Sequence, residues 1–230
     1  MRLLLVRHGQ TPANVRGALE TARPGPRLTR LGVRQSKAIP GALAHEQIDA
    51  IYVSPLIRTS LTAAPLARVR ALEPVVLEGL QEIEAGELEG KTDKESVHAY
   101  MGVIFAWSAG ELDRSVPGGP TGRQFFARFD AALKRIATLH PDPTPDPASE
   151  DAPTIVVVSH GAAIRMWTSL RGRNVPDDFV KTHMLDNTGV VALTGSPSDG
   201  WLVETWAGEP IGGKLLSDPT ASDPTGDAKA

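Results

Sequence analysis

Near its beginning the chain runs Leu3-Leu4-Leu5-Val6 and then turns abruptly polar at Arg7-His8-Gly9-Gln10-Thr11. Four consecutive apolar residues read as a strand buried on both faces, the situation of a parallel sheet covered by helices. Such sheets bind ligands beyond the carboxyl ends of their strands, which is where Arg7 and His8 stand. Gly9 lets the chain turn sharply and lets a ligand approach the backbone. Taken alone, an Arg-His pair after a strand is equally compatible with an ordinary polar loop.

The same arrangement recurs further on. Thr154-Ile155-Val156-Val157-Val158 ends in Ser159-His160-Gly161, before a helical stretch starting near Ala162. A third run, Ala50-Ile51-Tyr52-Val53, leads into Ser54-Pro55-Leu56-Ile57-Arg58 and places Arg58 in the first turns of a helix. On one parallel sheet these endings bring two imidazoles to the same edge, with Arg58 in reach. Two guanidinium forks and a helix N-terminus suit an anion with several oxygens, and a phosphoryl group is the natural ligand.

Strands near Leu3, Ile51, Val75, Ile155 and Val190 alternate with helical stretches near Leu31, Leu56, Phe125 and Ile164. That alternation predicts an α/β fold, a three-layer α/β/α arrangement around a mostly parallel central sheet. Thr29 is a plausible cap for the first long helix, which Gly32 and Pro40 weaken, and a helix is expected from Gly122 to Leu139 with Thr121 at its start. The 230 residues, 41% hydrophobic, suit a single domain over residues 1–215. Residues 141–153 read as a proline-rich acidic loop, and residues 216–230, rich in Ser, Asp, Pro and Thr, as a disordered tail.

Several functions are set aside on composition. A net charge of -3 argues against nucleic acid or a membrane surface as the main partner. Leu3 to Val6 is too short for a signal-peptide core, no segment is long enough to span a bilayer, and with no cysteine a cytoplasmic location is the default. His8, His45, His98, His140, His160 and His183 show no close metal-type pairing, so neither metal nor cofactor is expected. The run Gly86 to Thr92 imitates a nucleotide phosphate loop, but its glycines are one residue too close and Glu87 and Glu89 would repel phosphates.

The motifs in their order resemble the histidine phosphatase superfamily, phosphoglycerate mutase-like branch. They are Arg7-His8-Gly9-Gln10-Thr11-Pro12-Ala13-Asn14, Leu28-Thr29-Arg30-Leu31-Gly32, Ser54-Pro55-Leu56-Ile57-Arg58, Leu80-Gln81-Glu82-Ile83-Glu84-Ala85-Gly86 and Val158-Ser159-His160-Gly161. The resemblance fades between about Lys91 and Val116 and after about Ala207. It implies a phosphoglycerate mutase-like fold and a phosphomonoester hydrolase in which His8 becomes a phosphohistidine. It further implies that Arg7, Arg58 and His160 surround the phosphoryl oxygens and that Glu82 donates the proton to the leaving group, with Asn14 and Thr11 as neutral donors. Read locally, Glu82 belongs to a solvated acidic loop with Glu78, Glu84, Glu87 and Glu89; the family motif alone singles it out.

Many relatives carry Gly-Gly-Glu-Ser where this chain has Gly118-Gly119-Pro120-Thr121, so Pro120 replaces an acid. Residues 91–120 form the variable insertion, and its Tyr100, Phe105 and Trp107, with His183 at the pocket mouth, are the candidates for reading the rest of the substrate. The expected partner is a small phosphorylated metabolite, and a homodimer stays open. The alternatives are a phosphoglycerate mutase, which uses the same residues, and a phospholigand-binding module without turnover.

Overall fold

The computed structural model describes residues 1–143 and 152–226. Six strands form one sheet: β1 (Arg2–Arg7), β2 (Ala50–Val53), β3 (Val75–Val76), β4 (Thr154–Ser159), β5 (Val190–Ser196) and β6 (Gly200–Ala207), in the order β3-β2-β4-β1-β5-β6. The first four are parallel to one another, while β5 runs antiparallel to β1 and β6 antiparallel to β5. β1 is therefore paired on both edges, which accounts for its unbroken apolar run.

Because side chains alternate across a strand, the sheet builds two cores. Leu3, Leu5, Ile155 and Val157 face a layer containing α4 (Lys94–Ser108), α5 (Gly122–Leu139) and α6 (Gly161–Arg171). Leu4, Val6, Val156 and Val158 face Ile39 of α2 (Arg30–Ala42) and Leu66 of α3 (Ile57–Arg70). The expected three-layer α/β/α sandwich is what forms.

Helix ends follow the capping signals. Thr29 accepts the Gly32 N–H at 3.0 Å, and Thr121 and Gln124 form a reciprocal capping box at the start of α5. Pro120 lies just before that cap, so its missing N–H costs the helix nothing. Its loop packs on the Glu84–Glu87 segment through the Glu87 N–H bond to the Pro117 carbonyl, 2.9 Å.

Two parts depart from expectation. β6 is absent from the sequence reading because, as an edge strand, it fully buries only Trp201 and carries a weak apolar signal. The segment read as a disordered tail is instead anchored as far as residue 226. Gln35 donates to the Leu216 carbonyl at 2.8 Å, Gln10 to Asp218 at 2.8 Å, and Leu185 N–H to the Gly226 carbonyl at 3.0 Å. Composition forecast disorder because the segment has little apolar area to bury; polar bonds to already buried groups hold it instead. Residues 144–151 of the proline-rich loop and 227–230 of the tail lie outside the described residues. Among the described residues no helix is long and apolar enough to cross a membrane.

Gly32, a weak point for a helix in isolation, is where α2 backs onto the loop after β1. A Cβ there would lie 2.2 Å from the Gln10 carbonyl oxygen. Gly32→Ala is therefore expected to lower unfolding free energy by about 1–3 kcal/mol through overpacking and to depress activity as the His8 loop shifts. Urea melts and turnover measured side by side check this; an unaltered variant would show that the contact is not restrictive.

Candidate active site

The parallel register of β1 and β4 sets Arg7 opposite Ser159, so the next residue on each strand is a histidine at the same sheet edge. The His8 N–H bonds the Ser159 carbonyl at 3.0 Å, and the two imidazole rings lie 5.1 Å apart. His8 is buried and donates through Nδ1 to the Gly9 carbonyl at 2.8 Å, which leaves the Nε2 lone pair free. Burial, reinforced by Arg58 and then Arg7, pushes its pKa well below 6.5 and keeps the ring neutral.

His160 faces the Ser54 hydroxyl through Nε2 at 2.7 Å, and its Nδ1 has no partner among the described residues. Burial, then the cation of Arg58, depresses its pKa as well. Arg58, in the first turn of α3, donates to the Glu20 carbonyl at 3.1 Å, and its Nη1 is unpartnered. Burial lowers the Arg58 pKa to about 10, which still leaves it charged at neutral pH. Arg7 donates from Nη1 to the Leu185 carbonyl at 2.7 Å and from Nη2 to Asp223 and to Thr225 Oγ1, while its Nε is unpartnered. Gly161 makes room for that guanidinium, since a Cβ there would meet Arg7 Nε at 2.8 Å.

Glu82 is buried rather than solvated. Its Oε1 accepts N–H bonds from Ile83 at 2.9 Å and Ala163 at 2.8 Å, and its Oε2 accepts from Ala162 at 3.1 Å, so the carboxyl sits on the first turn of α6. Those bonds and Arg58 favour the ionised form, yet burial outweighs them and raises the pKa. Neighbouring acids do not produce this shift: Glu84 pairs with Arg128 at 3.1 Å, Glu78 with Arg23, and Glu89 accepts from Thr21 at 2.8 Å. Arg128 also clamps the loop by donating to the carbonyls of Gly79, Gln81 and Glu82.

A cavity of about 20 Å³ is lined by His8, Thr11, Asn14, Arg58, Glu82 and Thr225 together with Ala13, Ala18, Glu20 and Thr21; Arg7 and His160 do not line it, and are tied to it by their proximity to His8. Asn14 Oδ1 accepts from the Thr11 N–H and hydroxyl, both at 2.9 Å, leaving its amide nitrogen for the cavity. Thr11 is corrected: it lines the cavity, but its hydroxyl proton is spent on Asn14.

The expected leaving-group readers are corrected too, since none lines this cavity. Trp107 is fully buried, stacked on Phe125 at 6.0 Å and bonded from Nε1 to the Arg114 carbonyl at 2.7 Å. Phe105 packs against the same core. Tyr100 is buried and donates to the Ile83 carbonyl at 2.7 Å, bracing the Glu82 loop from behind. His183 stacks on Phe179 at 4.1 Å, away from the cavity. Aromatic residues at helical spacing served the core here.

Sequence reasoning missed Ser54 as the partner of His160, and Asn187, whose side chain donates to the His8 carbonyl at 3.1 Å. Ser54 lay inside a quoted motif, and Asn187 immediately precedes a strand on the same sheet edge, so both carried a positional signal. Asp223 and Thr225 carried none.

The sheet edge thus gathers two imidazoles of lowered pKa, two buried guanidiniums and a buried carboxyl of raised pKa, a set of groups suited to an oxyanion with several oxygens. The chain belongs to the histidine phosphatase superfamily (branch 1), whose family profile matches residues 3–208, and its fold is phosphoglycerate mutase-like. It is 38% identical over 224 residues to the PE-PGRS family protein PE_PGRS11 of Mycobacterium tuberculosis, covering 94% of this chain but only 38% of that protein. It is 29% identical over 173 residues to phosphoserine phosphatase 1 of Hydrogenobacter thermophilus, covering 75% of this chain and 77% of that one. Among solved structures, mycobacterial glucosyl-3-phosphoglycerate phosphatase superposes with a TM-score of 0.73 at 25% identity, covering 90% of this chain and 99% of that one.

The buried imidazoles make stability depend on pH. Unfolded, both rings titrate near about pH 6.5; folded, both titrate well below it. Across that window the unfolded chain binds more protons, so their contribution is fully present above about pH 6.5 and is lost as the pH falls through the folded values. The slope is at most about 1.4 kcal/mol per pH unit for each ring. Glu82 has the opposite sign: its raised folded value favours the fold at low pH, and that gain fades as the pH rises through it. Denaturant melts of wild type and His8→Asn at about pH 5 and 7 should show a smaller pH difference for the variant; equal differences would mean that His8 is not held neutral.

Proposed function

We propose that the protein is a phosphomonoester hydrolase working through a phosphohistidine on His8. The observation that carries this reading is the set of buried, unpartnered nitrogens, Arg7 Nε, Arg58 Nη1 and His160 Nδ1, gathered around an imidazole whose Nε2 lone pair is free. Unpaired buried donors are costly, and a phosphoryl group with three non-bridging oxygens satisfies them.

In the first step His8 Nε2 attacks phosphorus in line, the N–P bond forms, and the P–O bond to the alcohol breaks. Glu82, protonated before attack, gives its proton to the departing alkoxide, an assistance worth about 10²- to 10⁴-fold. In the second step a water oxygen attacks the phosphohistidine while Glu82, now a carboxylate, takes the water proton; inorganic phosphate leaves and His8 is restored. Arg7, Arg58 and His160 hold the equatorial oxygens throughout, and each preorganised donor contributes about 10²- to 10³-fold by analogy with oxyanion holes. Among the described residues no group of three or more His, Asp or Glu side chains is placed to hold a metal ion, and the arginines supply the positive charge. The substrate class is a small phosphorylated metabolite, in keeping with the phosphoserine and glucosyl-3-phosphoglycerate phosphatases that the chain resembles.

Phosphate release from a panel of phosphomonoesters in chelator, run with wild type, His8→Ala and Glu82→Gln, tests this. Wild type releases phosphate and His8→Ala does not. Glu82→Gln slows alkyl esters by about 10²- to 10⁴-fold and a nitrophenyl ester far less, because that leaving group needs little protonation. Acid-labile phosphate trapped on His8 by rapid quench accompanies turnover. Conversion of 3-phosphoglycerate to its 2-isomer without release would replace the reading by a mutase, and binding without turnover by a phospholigand module.

A further inference from the structure

Residues 217–226 lie beyond the family match yet cross the catalytic pocket. The crossing is specific. Ser217 and Asp218 attach to Asp186 and Gln10, Thr225 donates its hydroxyl to Asp223 at 3.0 Å, and the Thr225 carbonyl accepts from Arg165 at 3.0 Å. A Cβ on Gly161, the first residue of α6, would lie 2.8 Å from that carbonyl oxygen, so the segment rests directly on the helix that carries Glu82's backbone donors.

We propose that this strap is a working part of the catalytic site, with Asp223 as the positioning residue for Arg7 and Thr225 as a wall of the phosphoryl cavity. The inference rests on the hydrolase reading above. Arg7 has three nitrogen edges, and the protein occupies two of them: Nη1 is held by the Leu185 carbonyl, and Nη2 by Asp223 and Thr225. The edge left unpartnered is Nε, on the side that Gly161 opens. Holding both Nη groups of the guanidinium fixes the direction of the remaining Nε–H, and a donor fixed before reaction is what stabilises charge developing on phosphorus oxygens. The strap is also held by polar bonds and little apolar burial, the composition of an element that opens locally at low cost. Opening is needed, because with Thr225 in place the cavity has room for about one water.

The experiment compares full-length wild type, Asp223→Ala, Asp223→Glu and, as a control just before the segment, Leu215→Ser, whose side chain is exposed. Turnover of a nitrophenyl phosphate, inhibition by orthovanadate and by inorganic phosphate, and thermal melting are read for each. Asp223→Ala is expected to lower kcat by about 10- to 100-fold, less than deleting a donor outright, and to weaken orthovanadate by a comparable factor. Inorganic phosphate inhibition should move little, melting temperature should fall because the buried Arg7 loses its carboxylate partner, Asp223→Glu should recover part of both losses, and Leu215→Ser should match wild type. Unchanged or faster turnover in Asp223→Ala would overturn the proposal, the faster case making Asp223 a brake. A loss that tracks melting temperature with orthovanadate unaffected would also overturn it. If wild type turns over no ester, the hydrolase reading has failed, and orthovanadate binding by calorimetry, weaker in Asp223→Ala or not, still decides the strap.

Discussion

The pairing of β1 with β4 is the constraint from which the rest follows. Both strands are parallel, in register from Arg2 with Thr154 to Arg7 with Ser159, and each turns polar at the same level. A slip of one residue would send Leu3 and Leu5 to the opposite core and separate the two histidines. The hydrophobic faces thus specify catalytic geometry indirectly: Leu3, Leu5, Ile155 and Val157 must meet one helix layer and Leu4, Val6, Val156 and Val158 the other. Neither His8 nor His160 needs its own anchoring device to find its partner.

That placement has an energetic consequence. Among the described residues six buried side-chain nitrogens or oxygens lack a hydrogen-bond partner, and three of the six belong to Arg7, Arg58 and His160. Each such group costs about 1–3 kcal/mol when left unsatisfied. Their concentration at one sheet edge is stability withheld from the fold and recoverable when an anion binds. The backbone carries a similar burden nearby. Thr188, a β-branched residue, is held at φ 65° beside Asn187, whose side chain supports the His8 carbonyl. Strain and unpaired donors cluster at the proposed catalytic edge.

What was legible in the sequence was what had a period or a local signal. The apolar runs of β1, β2 and β4 named the sheet, Thr121 marked the start of α5, and two strand-His-Gly endings marked the edge. Glu82 was legible only through its motif, because nothing local distinguishes a carboxyl folded onto the first turn of α6 from four acids beside it in a loop. Trp107 and Phe105 were misread since an aromatic helix face looks the same whether it covers a pocket or a core. Asp223 was invisible: its partner Arg7 is 216 residues away, and a segment poor in apolar residues offers no pattern to place it.

Desolvation serves both halves of the proposed chemistry at once. The same burial that lowers the His8 pKa, favouring a free lone pair, raises that of Glu82, favouring its acid form, although three N–H bonds and Arg58 pull the carboxyl the other way. An entering phosphoryl dianion shifts this balance further. Its charge opposes ionisation of Glu82 and so holds more of it in the protonated form from which a leaving group can draw. On His8 the same charge would favour a proton, but Arg58 and Arg7, the cations already depressing that imidazole, lie where they offset it. In the proposed mechanism the guanidiniums therefore have two roles: they bind the phosphoryl oxygens and, as a neutral donor set could not, they let one anion favour the acid form of Glu82 without protonating the nucleophile.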